Sequence, residues 1–259
     1  MKQTTNTRHI LPLTALAALA FAANPAQAAI TLLGTGFADT INGGPGDFTL
    51  TSGIYSYSYA AGATSDMLVI SISSEKSGEA YSVSYGGQAM TIATQSSAGS
   101  GTNIWYLADP SASGSIAIDF SSVGSVNSIG LGIASLNGEG EEIAFDNGVS
   151  DDATASIDIT TNFDDSFVMF AGDANDVGGN PQVNAPLTSI YGGVGNIGSS
   201  QAAAGYQNGV AAGANTYTWS PNSQARGISA AAFYAPVPEP SSAALIGLGG
   251  LALILRRRK

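Results

Sequence analysis

From Ala29 to Ala235 apolar side chains tend to recur at every second position, the period of a strand with one buried face. Ile54, Ser56 and Ser58 alternate with Tyr55, Tyr57 and Tyr59, and Met67-Leu68-Val69-Ile70-Ser71-Ile72 reads as a buried strand that becomes alternating. Further strands are expected at Tyr81–Tyr85, Ala89–Thr94, Asn103–Leu107, Ser115–Phe120, Ile129–Leu136, Ala155–Thr160, Ser166–Ala171, Thr216–Ser220 and Gly227–Tyr234. They are rich in Ile, Val, Tyr, Thr and Phe, and Gly, Ser, Asn or Asp separates them. No amphipathic helical repeat stands out between the two ends.

Short strands with such punctuation favour a sandwich or barrel over alternating strand–helix units. The pattern predicts an all-β chain: a single β-sandwich of jelly-roll or immunoglobulin-like type, about ten to twelve strands, over residues 29–235. Gly86-Gly87 reads as a tight hairpin, Asn137-Gly138 and Asn147-Gly148 as turns, and Asp109-Pro110 as a strand breaker. The expected core is Leu68, Ile70, Ile104, Trp105, Leu107, Ile116, Ile118, Phe120, Leu131, Ile133, Phe167, Met169, Trp219 and Phe233. The run Val83-Ser84-Tyr85-Gly86-Gly87-Gln88-Ala89-Met90-Thr91, with Ile104-Trp105-Tyr106-Leu107, is similar to β-sandwich modules of secreted bacterial proteins. That likeness implies a fold and no activity.

The two ends differ from the body. Residues 1–28 read as a secretory signal peptide, expected to be helical: Lys2 and Arg8 precede an apolar stretch from Ile10 to Ala23, and Ala26-Gln27-Ala28 offers the small-x-small site of signal peptidase before Ala29. Residues 236–259 carry Val237-Pro238-Glu239-Pro240, then the uncharged run Ser241–Leu255, then Arg256-Arg257-Arg258-Lys259. As a transmembrane helix the uncharged run would be about 22 Å long. That is short for a bilayer core of roughly 30 Å, so it would need thinning or snorkelling. The basic end would stay cytoplasmic and the body outside.

This tripartite ending resembles the PEP-CTERM sorting signal of Gram-negative bacteria that make extracellular polysaccharide. The resemblance implies that Pro238-Glu239-Pro240 is the sorting triplet. It also implies an exosortase, a membrane-embedded transpeptidase-like enzyme, that processes the chain near the triplet and passes the body from the inner membrane to the cell surface or matrix.

Charge narrows the remaining choices. Six of the 8 Lys and Arg lie in the two ends, leaving Lys76 and Arg226, while 18 of the 19 acidic residues lie in the body, which therefore carries a formal charge of −16. Nucleic acid would repel such a surface. The chain has no Cys, and its one His, His9, lies in the leader. Disulfides, thiolate chemistry and an imidazole base or zinc ligand are thereby excluded from the body.

What remains is oxygen chemistry. Asp173, Asn175 and Asp176 open a Gly-rich acidic turn whose hard oxygens would suit calcium, with Asp164-Asp165 and Asp151-Asp152 as further donors. The turn is no EF-hand, since Val177 holds its fifth position and Asn184 stands where the bidentate Glu belongs. Glu139, Glu141 and Glu142 read as a solvated loop. Asp39-Thr40-Ile41-Asn42-Gly43-Gly44-Pro45-Gly46-Asp47 looks like one calcium-binding nonapeptide repeat, but Phe48 replaces the expected acid and there is a single copy. Tyr55, Tyr57, Tyr59, Tyr81, Tyr85 and Trp219 are candidate sugar-stacking platforms. No Gly-x-Ser-x-Gly elbow is present. The expectation is a non-enzymatic exported surface or matrix protein without a cofactor. The alternative is a secreted carbohydrate-binding module, assisted by calcium. The expected partners are signal peptidase, the exosortase, the inner membrane in transit and an extracellular polysaccharide.

Overall fold

A computed structural model describes residues 28–40, 46–74, 81–96, 101–124, 126, 128–139, 142–151, 154–174, 181–192, 201–221 and 225–236. The first half contributes β1 (Thr31–Asp39), β2 (Thr49–Thr51), β3 (Ile54–Tyr59), β4 (Met67–Ser74), β5 (Ser82–Tyr85), β6 (Gln88–Ala89), β7 (Thr91–Gln95), β8 (Gly101–Ala108), β9 (Gly114–Asp119) and β10 (Ile129–Asn137). The second contributes β11 (Ala144–Asp151), β12 (Ser156–Thr161), β13 (Ser166–Ala174), β14 (Gln182–Val183), β15 (Thr188–Gly192), β16 (Gln201–Val210), β17 (Gly213–Ser220) and β18 (Ala225–Tyr234).

The strands form four antiparallel sheets, ordered β2-β3-β9-β5-β6, β1-β10-β4-β8-β7, β11-β18-β13-β16-β15 and β12-β17-β14. Three apolar layers stack them in that sequence. Leu68, Ile70, Leu131 and Ile133 of the second sheet pack on Tyr55, Val83, Ile116 and Ile118 of the first. Met67, Val69, Ala134 and Leu136, on the second sheet's other face, pack on Phe167, Met169, Ala231 and Phe233 of the third. Val168, Phe170, Ala230 and Ala232, on the third sheet's other face, pack on Ile157, Ile159, Tyr217 and Trp219 of the fourth.

The expected all-β class holds, but the single sandwich of ten to twelve strands is corrected: the described residues form 18 strands in four sheets, two sandwiches back to back. The reason is double-sided burial. Every residue of β4 and of β13 is buried, so inner strands need not alternate apolar with polar. Their second face mixes large and small residues, Met67 and Val69 with Ser71 and Ser73 on β4, and Phe167 and Met169 with Ala171 and Asp173 on β13. β1, β11 and β16 are rich in Gly, Ala and Asn, which are depleted in strands generally. Ala202, Ala203 and Ala204 of β16 are buried all the same.

Gly86-Gly87 is the expected hairpin: both have positive φ (56° and 83°), and Tyr85 pairs with Gln88 across them. Asn147-Gly148 is not a turn but lies inside β11, at a register shift after Phe145. The expected core residues are buried, apart from a half-buried Leu107. The helices expected at residues 1–28 and 236–259 lie outside the described residues, save for Ala28 and Pro236 at their inner limits, and among the described residues no helix is long and apolar enough to cross a membrane.

Candidate functional site

Two places in the fold bear on function, at opposite ends of the layer between the inner sheets. At the first end, Ala28 and Ala235 form an antiparallel bridge. Ala235 is fully buried and Ile30 is buried beside it, within a cluster that includes Phe145, Phe167 and Phe233. Asn208 Nδ2 donates to the Ile30 carbonyl at 2.9 Å, tying the start of the body to β16. Around them the rings of Tyr106 and Phe145 stack at 5.6 Å, and both meet Phe233 edge-on. Of the expected signal peptidase residues, Ala28 and Ala29 fall here, while Ala26 lies outside the described residues. Val237, Pro238, Glu239, Pro240 and the basic residues Arg256, Arg257, Arg258 and Lys259 also lie outside them.

At the second end the same layer turns polar. Register places Asp39, Gly130, Ser73 and Thr102 in one row across β1, β10, β4 and β8. Asp173 pairs with Gly227 and Ala202 in the facing sheet. The Ser73 and Tyr191 hydroxyls lie 3.3 Å apart. Thr102 Oγ1 donates to Ser229 Oγ at 2.8 Å, and Ser229 Oγ donates back to the Thr102 carbonyl at 2.9 Å. Both links cross between the two sheets.

Burial raises the pKa of the Tyr191 phenol. The Ser73 hydrogen bond opposes this, and the nearby Asp173 and Asp39 carboxylates add to it. Burial also raises the Asp39 carboxyl, helped by Asp47. A buried carboxylate with a like charge nearby favours the neutral form.

Close approach makes this end possible. A Cβ on Gly227 would lie 2.8 Å from Ser96 Oγ and 3.2 Å from the Gly101 Cα. Asp173, Ser73, Thr102, Tyr191 and Ser229 are all buried. The cluster can cross-link the inner sheets by hydrogen bonds and hold protons.

The calcium candidates are not gathered here. Asp173 lies in β13, at the far end of the strand from Asp164-Asp165, a separation of about 26 Å at strand rise. Asp151 pairs with Ile228, whose side chain joins the outer core, on the face away from Asp173. Asn184 is engaged with Thr218 Oγ1 and Ser220 Oγ at 3.1 Å each. Asn175, Asp176 and Asp152 lie outside the described residues. Among the described residues, no group of three or more His, Cys, Asp or Glu could hold a metal ion.

In the repeat-like segment, Asp47 Oδ2 accepts from the Asp39 amide at 3.3 Å. Phe48 departs from the repeat for a packing reason, since it is buried edge-on against Tyr55 and Tyr57. The expected stacking platforms are mostly enclosed as well. Tyr55, Tyr81, Tyr85 and Trp219 are buried, and Tyr57 and Tyr59 are packed against the same core as three of them. Tyr55 donates to the Val126 carbonyl at 2.8 Å, Tyr85 to the Tyr59 carbonyl at 3.0 Å, and Trp219 Nε1 to the Thr154 carbonyl at 3.3 Å.

The described residues end at Pro236, next to Val237. Residues 236–259 match the PEP-CTERM protein-sorting motif. The motif implies an exported, cell-surface-directed protein processed by an exosortase, a membrane sorting enzyme. No curated protein matches the chain.

The polar end went unread in the sequence. Its signal was Ser71 and Ser73 on the face of β4 that also carries Met67 and Val69, a face half apolar and half hydroxyl.

Proposed function

We propose that the chain is a non-enzymatic structural or adhesive protein of the outer cell surface or polysaccharide matrix of a Gram-negative bacterium. Residues 1–28 take it across the inner membrane. Residues 29–235 fold outside, and residues 236–259 hold the body at the membrane until the exosortase acts. The observation that carries this reading is the sorting motif placed directly behind a strand at the heart of the body. β18 lies between β11 and β13 and feeds two of the three apolar layers. The body is therefore complete only when the chain has emerged up to the motif itself.

A non-catalytic role is supported by composition and by burial together. The body lacks His and Cys, and several of its tyrosines, with two of its carboxylates, are spent inside the layers. Replacing Pro238-Glu239-Pro240 by three alanines tests the sorting role. Intact masses from membrane, surface and medium should show the tail retained and the surface fraction lost. Tail removal and delivery as in the parent chain would sink the reading.

A further inference from the structure

The Ala28–Ala235 bridge joins the last residue of the leader to the last residue before the sorting motif. Paired residues of antiparallel strands have Cα atoms roughly 4.5–5.5 Å apart. Ala28 and Ala235 therefore lie side by side, at one point of the body. Pro238 is three residues beyond Ala235, so backbone length alone keeps it within about 11 Å of that residue. The opposite chain senses fit the opposite topologies, since the leader carries its cations first and the sorting tail carries them last.

Enzymes that read a segment as an extended strand hold it through main-chain hydrogen bonds. Three prolines, Pro236, Pro238 and Pro240, remove amide donors around the triplet. Ala235 is the first residue upstream of them with both a main-chain donor and an acceptor, and Ala28 is paired with it.

We propose that this bridge makes leader removal a precondition of sorting: while Ala28 remains attached to the body, it covers the strand edge the sorting enzyme must grip. Signal peptidase hydrolyses the Ala28–Ala29 peptide bond: the C–N bond breaks, and water gives one oxygen to the new carboxylate of Ala28 and a proton to the new amine of Ala29. Ala28 then departs with the leader, and the main chain of Ala235 is uncovered. The inference rests on reading the two ends as leader and sorting signal. It adds an order to the two cleavages.

The test uses the full chain in cells, read by intact mass at both ends. Ala26→Tyr puts a bulky ring at the small-residue site and keeps the leader attached. Tail removal should then fall by about ten-fold or more, the scale of a lost pair of main-chain hydrogen bonds. A second variant adds to Ala26→Tyr about ten Gly/Ser residues between Ala235 and Pro236, carrying the triplet roughly 17 Å from the bridge. It should lose its tail at nearly the parental rate with the leader still attached. Parental tail removal in Ala26→Tyr would overturn the inference, and so would failure of the insertion to restore it. The triple-alanine chain separates the two readings: if it still loses its tail, the sorting reading fails, whatever the order of cleavage.

Discussion

The layer between the inner sheets is built in two ways along its length. Near Ala28 and Ala235 it is filled by Phe145, Phe167, Phe233, Met67 and Leu136. Near Asp39 and Asp173 it is filled by Ser73, Thr102, Tyr191 and Ser229, with Gly130 and Gly227 in their rows. The first filling tolerates approximate fit, because dispersion and burial are non-directional. The second must satisfy hydroxyls and carboxylates by specific geometry, since an unmade buried hydrogen bond costs about 1–3 kcal/mol. One end therefore supplies cohesion, and the other fixes which residues of β4 and β8 face which of β15 and β18. The cohesive end is also the one where Ala28 pairs with Ala235, next to the sorting motif.

Removal of a ring at the cohesive end should have the largest effect. Phe233 is fully buried, meets Tyr106 and Phe145 edge-on, and pairs with Phe167 across the strands. Phe233→Ala should cost roughly 3–5 kcal/mol, from lost transfer energy and the cavity left behind. Denaturant unfolding of the residue 29–235 body, followed by tryptophan fluorescence, would measure it. A loss below about 1 kcal/mol would mean that the aromatic end is not where cohesion lies.

A smaller and more diagnostic change belongs at the polar end. Thr102→Val keeps the shape but removes the hydroxyl that donates to Ser229. It should cost roughly 1–2 kcal/mol. Combining it with Ser229→Ala should cost less than the two single changes added together, because the second removes a partner already orphaned. Strict additivity would show that the cross-sheet pair is not coupled, and the contrast between the two ends would lose its basis.

These two ends were not equally legible in the sequence. The strands feeding the outer layers announced themselves: Ile54–Tyr59 and Ser115–Phe120 alternate, and both are strands of the first sheet. Leu68 and Ile70 also identified one face of β4. The other face was hidden, because Ser71, Ser73, Gly130 and Gly132 look like polar, solvent-facing or turn residues until a second sheet covers them. The same concealment removed β1 of the second sheet from the expected strands, and β11, β15 and β16, three of the five strands of the third. The sorting signals were legible for a different reason: their meaning lies in local order, a triplet, an apolar run and a basic end, and needs no tertiary contact. The adjacency of Ala28 and Ala235 is a long-range property, fixed by their pairing, and no local pattern encodes it.

The smallest expected effect tests whether the polar end carries an electrostatic cost. Burial, and secondarily Asp47, raises the Asp39 carboxyl above its ordinary value of 3.8. A raised native pKa means that the folded protein binds a proton more tightly than the unfolded chain does. Stability from this group is then greatest below pH 3.8, falls as pH rises from there through the folded value, and stays low above it. Asp39→Asn keeps the shape and removes the charge, so it should stabilise the body modestly at pH 7, and the gain should shrink as pH falls towards 3.8. Unfolding curves of parent and variant across that range would show the two lines converging on the acid side. A gap that widened on acidification instead would mean that the ionised carboxylate is held favourably. The polar end would then be a place where charge stabilises the stack, and the division of labour along the layer would have to be redrawn.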